Sequence, residues 1–236
     1  MHAHAWITSI GKRLSKLIFD PESLPVASVA GEPALPDERL SADWLRSRFA
    51  TPPGWTPEST DEHWLRKSDA SPVPAAVLLP IVIREDGPTM LLTQRTAHLH
   101  DHAGQVSLPG GRVDRTDSSA TDTALRETEE EVGLHRRHIE VVGTLPDYFT
   151  GTGFRITPVV ALVQPPFELQ ADTFEVAEIF EVPLAFLMNG QNHQRRIIEL
   201  PDGAGCRTFY SMPYGRFFIW GATAGMLRNL FHFLRA

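Results

Sequence analysis

Arg126-Glu127-Thr128-Glu129-Glu130-Glu131-Val132-Gly133-Leu134 sets four acids close together on what its flanks mark as a single helix. Upstream, Ser119-Ala120-Thr121-Asp122 has capping-box spacing, which predicts a helix start, and Gly133 is placed to end it. Residues three and four apart share a helix face. Glu127, Glu130 and Glu131 therefore converge within one turn, while Ala124, Leu125, Thr128 and Val132 lie largely on other faces and can pack. Like charges at this spacing oppose a helix by roughly 0.2–0.5 kcal/mol per pair. Arg126 offsets part of that repulsion. For an isolated Glu-rich turn the ordinary reading is a solvated acidic face. The alternative is a divalent cation: Mg²⁺ takes oxygen ligands, and two such ions can clamp both oxygens of an in-line displacement at phosphorus.

The preceding loop favours the second reading. In Leu108-Pro109-Gly110-Gly111 the two glycines let the backbone approach a ligand or a metal closely. Strand-like runs surround it. Ala76 to Ile83 is a buried-strand candidate, Glu85-Asp86-Gly87-Pro88 a turn, and Met90 to Arg95 the returning hairpin partner. Pro80 inside the first run predicts an edge strand or a bulge. Ile139 to Gly143, Ile156 to Val163 and Val176 to Val182 are further strands, followed by a short helix near Pro183 to Met188. Arg196 to Leu200 and Thr208 to Met212 form a second hairpin about Pro201-Asp202-Gly203. Arg216 to Trp220 then leads into a helix from Ala222 to Leu234. A mixed sheet with a helix on each side is the simplest architecture for this order.

Residues 20–74 are rich in Pro and acids, with short apolar runs at Trp44-Leu45 and Trp64-Leu65, which predicts short helices joined by loops, with Pro21 to Pro36 as a linker. Met1 to Asp20 mixes Lys12, Arg13 and Lys16 with apolar residues at helical spacing; it is expected to pack on the body or on a partner, and it lacks a signal-peptide pattern. The 236 residues are 42% hydrophobic and 22% charged, ordinary for a soluble globular chain. The net charge of −7 argues against a general nucleic-acid footprint but not against phosphate ligands, since bound cations can reverse the local field. No stretch approaches the ~20 apolar residues of a membrane span, so stable membrane insertion is not expected. Cys206 is the only cysteine, which points to a reducing compartment and, by default, the cytoplasm.

Gly111 to Leu134 resembles the Nudix box, Gly-x5-Glu-x7-Arg-Glu-U-x-Glu-Glu-x-Gly-U with U aliphatic. Arg126, Glu127, Glu130, Glu131, Gly133 and Leu134 match; Asp117 replaces the first Glu, Thr128 replaces the aliphatic residue, and eight residues separate Asp117 from Arg126. The resemblance implies a Nudix-type α/β/α sandwich with a mixed sheet over residues 75–236, preceded by a helical and irregular extension over residues 1–74. It also implies Mg²⁺ or Mn²⁺ held by Glu127, Glu130, Glu131 and the Gly111 carbonyl, or one of these glutamates activating the attacking water instead. Arg126 would orient a glutamate rather than touch substrate. Asp117 is left without a defined role. Glu175 and Glu178 could add a carboxylate, although a surface role is the ordinary reading of each.

Leu91 to Gly111 is similar to the signature of the coenzyme A pyrophosphatases within that superfamily, Leu-Leu-Thr-x-Arg-Ser-x3-Arg-x-His-x-Gly-x-Val-x-Phe-Pro-Gly-Gly. Thr96, His100 and Leu108 stand at the positions that differ. The Asp-bearing loop Val113 to Asp117 resembles this subgroup as well, and similarity extends through Thr157 to Val160 and Ile219 to Ala224. The implied reaction is hydrolysis of the pyrophosphate of coenzyme A or an acyl derivative to 3′,5′-ADP and 4′-phosphopantetheine. Substrate would meet Arg95, His100, His102, Gly104 and Gly110. A guanidinium can grip a phosphate bidentately and His donates more strongly when protonated; Gly104 also suits a plain turn. A homodimer is expected from family habit. The rival substrates are ADP-ribose, a dinucleotide or a damaged nucleotide, and the rival class is a non-catalytic ligand sensor.

Overall fold

A computed structural model describes residues 20–58, 71–98, 103–199 and 205–236. In chain order the elements are β1 (Val26–Val29), α1 (Ala42–Ala50), β2 (Val73–Val82), β3 (Thr89–Arg95), β4 (Val106–Ser107), β5 (Gly110–Arg112) and α2 (Ala120–Val132). They continue with β6 (Ile139–Thr144), β7 (Tyr148–Phe149), β8 (Phe154–Val163), β9 (Val176–Pro183), α3 (Leu184–Leu187), β10 (Gln194–Glu199), β11 (Cys206–Tyr214), β12 (Phe217–Trp220) and α4 (Gly221–Arg235).

The centre of the larger sheet is a parallel pair. β2 and β8 run side by side from Val73 opposite Phe154 to Val82 opposite Val163, and the remaining pairings are antiparallel. Strand side chains alternate between faces. Val77, Leu79, Ile81, Val160 and Leu162 join the main core on one side. Ala76, Leu78, Val82, Val159, Ala161 and Val163 face the other. Both faces are covered, which is why these strands read as unbroken apolar runs. On one face lies α2, with Ala124 against Ala76, Leu78, Val159 and Ala161. The opposite face meets Leu227, Leu230, Phe231 and Leu234 of α4, Leu45 of α1 and Met212 of β11. This is the expected α/β/α sandwich with a mixed sheet.

Pro80 departs from expectation: it is buried in a central strand, with no edge and no bulge. The reason is a split on one side of β2. Only Ile81 and Val82 pair with β3, while Ala75 to Val77 pair with β5. Leu78 donates its N–H toward that side, to the Pro109 carbonyl at 2.8 Å. Pro80, two residues on, presents its missing donor to the same side, between the two partners. The same split leaves room for the β4–Pro109–β5 loop that enters the site.

The stretch Pro21 to Pro36, expected as a linker, carries β1, which pairs with β10 at the margin of a second sheet ordered β1-β10-β11-β12. α1 forms over Trp44-Leu45, capped by Ser41; Trp64-Leu65 and the Pro201-Asp202-Gly203 turn lie outside the described residues. Residues near the chain's start are tied to α4 by charge. Arg228 donates to Glu32, to Glu58 (3.1 Å) and to His193 (3.1 Å). Glu58 also accepts from Arg195 (2.8 Å) and His232 (3.0 Å). Burial raises the Glu58 pKa, but bonds from His232, Tyr210 and Arg228 prevail and bring it to about 2. The Arg228 guanidinium does the same for Glu32. Burial pushes His193 down to about 4, so its ring is neutral.

Candidate active site

α2 starts and stops as its sequence dictates. Ser119 Oγ accepts from Asp122 N at 3.1 Å, and Gly133 closes the helix at φ 70° with its N–H on the Glu129 carbonyl. Thr128, where the resemblance calls for an aliphatic side chain, is fully buried and returns its hydroxyl to the Ala124 carbonyl at 2.6 Å. That bond satisfies the one polar atom the substitution introduces.

The helix presses its acids onto the glycine loop. A Cβ at Gly111 would lie 2.5 Å from the Glu127 carboxyl group, so that carboxylate occupies the space a side chain would need. Gly110 has φ 149°, and a Cβ there would lie 2.4 Å from the Ala76 carbonyl. Its N–H donates to Glu131 Oε2 at 3.2 Å. Each glycine is thus required by a named close approach.

Asp117 finds its role here. Arg126 meets it with a two-pronged contact, Nε to Oδ1 at 2.9 Å and Nη2 to Oδ2 at 3.0 Å. Thr123 Oγ1 and the Asp114 N–H add bonds of 2.8 Å each to Asp117 Oδ2. The Asp117 side chain is only 2% exposed, and the guanidinium holds its carboxyl well below the usual carboxylate range. The extra residue ahead of α2 is absorbed in the turn in which Asp114 accepts from Thr116. With its far side fixed, Arg126 offers Nη1 to Glu127 (2.8 Å) and Glu130 (2.9 Å).

The three glutamates differ in environment. Glu130 is open to solvent, with 60% of its side chain exposed. Glu127 is half-buried; burial raises its pKa against the pull of Arg126. Glu131 is buried, and desolvation pushes it up to about 7 despite the Gly110 N–H and Arg95. Arg95, at the end of β3, lies between Glu131 (3.9 Å) and Glu175 (4.0 Å). Glu175 therefore borders the site, whereas Glu178 is engaged by Arg216. Gly104 sits at φ 70° in a turn and accepts from Gln94 Nε2 at 3.3 Å. His100 and His102 lie outside the described residues.

Among the described residues no three His, Cys, Asp or Glu side chains are gathered as a ready cation cluster. Arg126 supplies the positive charge between Glu127 and Glu130, and Glu131 faces Gly110. The donors present are nonetheless hard oxygens, three carboxylates beside a glycine backbone that comes into contact with them, and this chemistry suits Mg²⁺ or Mn²⁺.

Sequence reading missed the Asp117 clamp on Arg126 and the reach of Arg95 to Glu131. The capping residues and the Arg spacing hinted at the first. Nothing local signals the second.

A carboxylate helix locked to a glycine loop on a mixed α/β/α sheet defines this protein as a hydrolase of the Nudix class. The NUDIX domain family profile matches residues 72–200. The chain is 46% identical over 157 residues to the Escherichia coli K12 protein described as uncharacterized Nudix hydrolase NudL, covering 66% of this chain and 80% of that one. NudL of Shigella boydii serotype 18 gives the same figures. A solved Nudix hydrolase from M. smegmatis, RenU, is 25% identical with a TM-score of 0.42, covering 49% of this chain and 73% of that one. The chain belongs to the Nudix family, whose hydrolases act on nucleoside diphosphate derivatives. Among the described residues no helix is long and apolar enough to cross a membrane.

Proposed function

We propose that this hydrolase cleaves the pyrophosphate bond of coenzyme A or an acyl derivative, releasing 3′,5′-ADP and 4′-phosphopantetheine. One observation carries the reading: of the segment Leu91 to Gly111, similar to the coenzyme A signature, Arg95, Gly110 and Gly111 lie against glutamates of the carboxylate helix. Gly111 admits Glu127, Gly110 donates to Glu131, and Arg95 faces Glu131. Glu127, Glu130, Glu131 and the Gly111 carbonyl would hold Mg²⁺ or Mn²⁺, which when bound neutralises charge at phosphorus and lowers the pKa of a bound water. The protein's own groups do the rest. Arg126 fixes the directions of Glu127 and Glu130. Burial raises Glu131 to about 7 without metal, so it is the carboxylate that gains most from a cation, which would hold it ionised. Arg95 offers a guanidinium to phosphate. His100 and His102 are assigned to the substrate phosphates, and Gly104 and Gly110 to the backbone that shapes the entrance. A cytoplasmic homodimer is part of this reading.

The test is turnover of coenzyme A, acetyl coenzyme A, ADP-ribose and diadenosine tetraphosphate with Mg²⁺. The expected result is a kcat/KM for coenzyme A or its acyl form at least tenfold above the others. Equal or better turnover of ADP-ribose would replace the substrate, and no turnover of any diphosphate would favour a ligand sensor.

A further inference from the structure

Phe174 is the most exposed large hydrophobic side chain among the described residues, at 65% of its surface. A lone exposed hydrophobe is ordinary. This one is anchored, and its anchor is the catalytic helix. The Asp172 N–H donates to the Glu131 carbonyl at 2.9 Å, and Asp172 Oδ1 accepts from Phe174 N at 2.9 Å. From the opposite side, buried Thr96 donates its hydroxyl to the Phe174 carbonyl at 2.8 Å and its N–H to the Glu175 carbonyl at 3.0 Å. The next residue, Glu175, places its carboxylate 4.0 Å from Arg95, which lies 3.9 Å from Glu131. The turn that carries the ring, held by these four hydrogen bonds, therefore borders the carboxylate site. The ring is not alone there: the His98 ring lies 5.1 Å from it at 59°, so two aromatic faces meet in a corner.

An ordered, solvent-facing aromatic beside a diphosphate-cleaving centre suits one part of a nucleoside diphosphate. Phosphates go to cations and metals; the nucleobase presents a flat π face and needs a stacking surface. We propose that Phe174, backed by His98, is the surface on which the substrate's nucleobase stacks. This rests on the nucleoside-diphosphate part of the functional reading and not on the choice of coenzyme A. It makes Phe174 a binding residue outside the carboxylate and phosphate machinery, with its contribution in affinity rather than in the chemical step.

The test is calorimetric titration of the full chain, with Mg²⁺, using adenosine 5′-(α,β-methylene)diphosphate and methylenediphosphonate. Both carry the same non-hydrolysable diphosphate, and only the first carries a base. Phe174→Ala is expected to weaken the nucleotide roughly 5- to 100-fold, the range for losing one base–aromatic stack, and to leave methylenediphosphonate within twofold. Phe174→Trp should retain nucleotide binding. Equal weakening of both ligands, or none of either, would overturn the inference, as would a wild-type protein that binds the two alike. Thermal melting of each variant separates binding from folding, and an exposed site predicts little change. If coenzyme A is not turned over but the nucleotide still loses affinity in Phe174→Ala, the substrate assignment falls and the stacking surface stands. If coenzyme A is turned over and the nucleotide is indifferent to Phe174, the reverse holds.

Discussion

Glu131→Gln should stabilise the metal-free protein while removing its activity. The Glu131 carboxyl is buried, and desolvation lifts its pKa from an ordinary 4.5 to about 7. Each factor of ten in proton affinity is worth about 1.4 kcal/mol, so holding this group ionised in the fold costs about 3 kcal/mol. Between pH 4.5 and 7 the folded chain keeps a proton that the unfolded chain has released, so stability falls as pH rises through that window. Below it both states are protonated and the cost disappears; above it the cost is complete. Glutamine carries no charge, and its amide oxygen can still accept from Gly110 N. The assay is urea unfolding in chelator, followed by tryptophan fluorescence, from pH 5 to pH 8. The variant should be about 3 kcal/mol more stable at pH 8, with the gap below about 1 kcal/mol at pH 5. A gap that does not change with pH, or a variant less stable at pH 8, would refute the argument that Glu131 is held at a cost for function.

Gly111→Ala drives a Cβ to within 2.5 Å of the Glu127 carboxyl group, so kcat should fall roughly 100-fold, with a loss of about 1–3 kcal/mol in melting experiments. Asp117→Asn releases one side of the Arg126 clamp and should lower kcat roughly 10- to 100-fold with little change in KM, measured under saturating Mg²⁺. Glu58→Gln breaks the charge cluster on α4: denaturant midpoints at pH 7 should report up to about 3 kcal/mol lost, and activity per folded molecule should be unchanged. Because the Glu58 and Glu32 pKa values are depressed to about 2, their contribution is full above about pH 4.5 and should vanish as pH falls through 2, leaving Glu58→Gln and wild type equally stable in acid.

The parts of the fold written in local code were legible. Ser119 and Gly133 bracket α2 as their chemistry requires, and β8 and β9 follow apolar runs with few ambiguities. Gly110 and Gly111 stood out as backbone that something approaches, and in the fold that something is Ala76 and Glu127. Features that depend on distant chain were not legible. Arg228 meets Glu32 and Glu58 across 196 and 170 residues, so no window of sequence contains the cluster. Pro80 misled because its rule assumes that a central strand is paired along both sides, and β2 is split where Pro80 falls. The linker reading of Pro21 to Pro36 failed for a related reason: Val26 to Val29 is a strand only because β10 offers it a partner. In the site, the acid spacing was legible, but the environments that make Glu130 open and Glu131 buried come from the loop and from β3.

The role proposed for the glutamates of α2 is to serve water attack on the diphosphate of coenzyme A. It is tested most directly by mass analysis of the products formed from coenzyme A with Mg²⁺ in ¹⁸O-labelled water, for the wild type and Glu130→Gln. Expected are 3′,5′-ADP and 4′-phosphopantetheine, a single ¹⁸O on one of the two products, and no products from the variant. Intact coenzyme A, loss of the 3′-phosphate alone, or equal turnover by Glu130→Gln would contradict it.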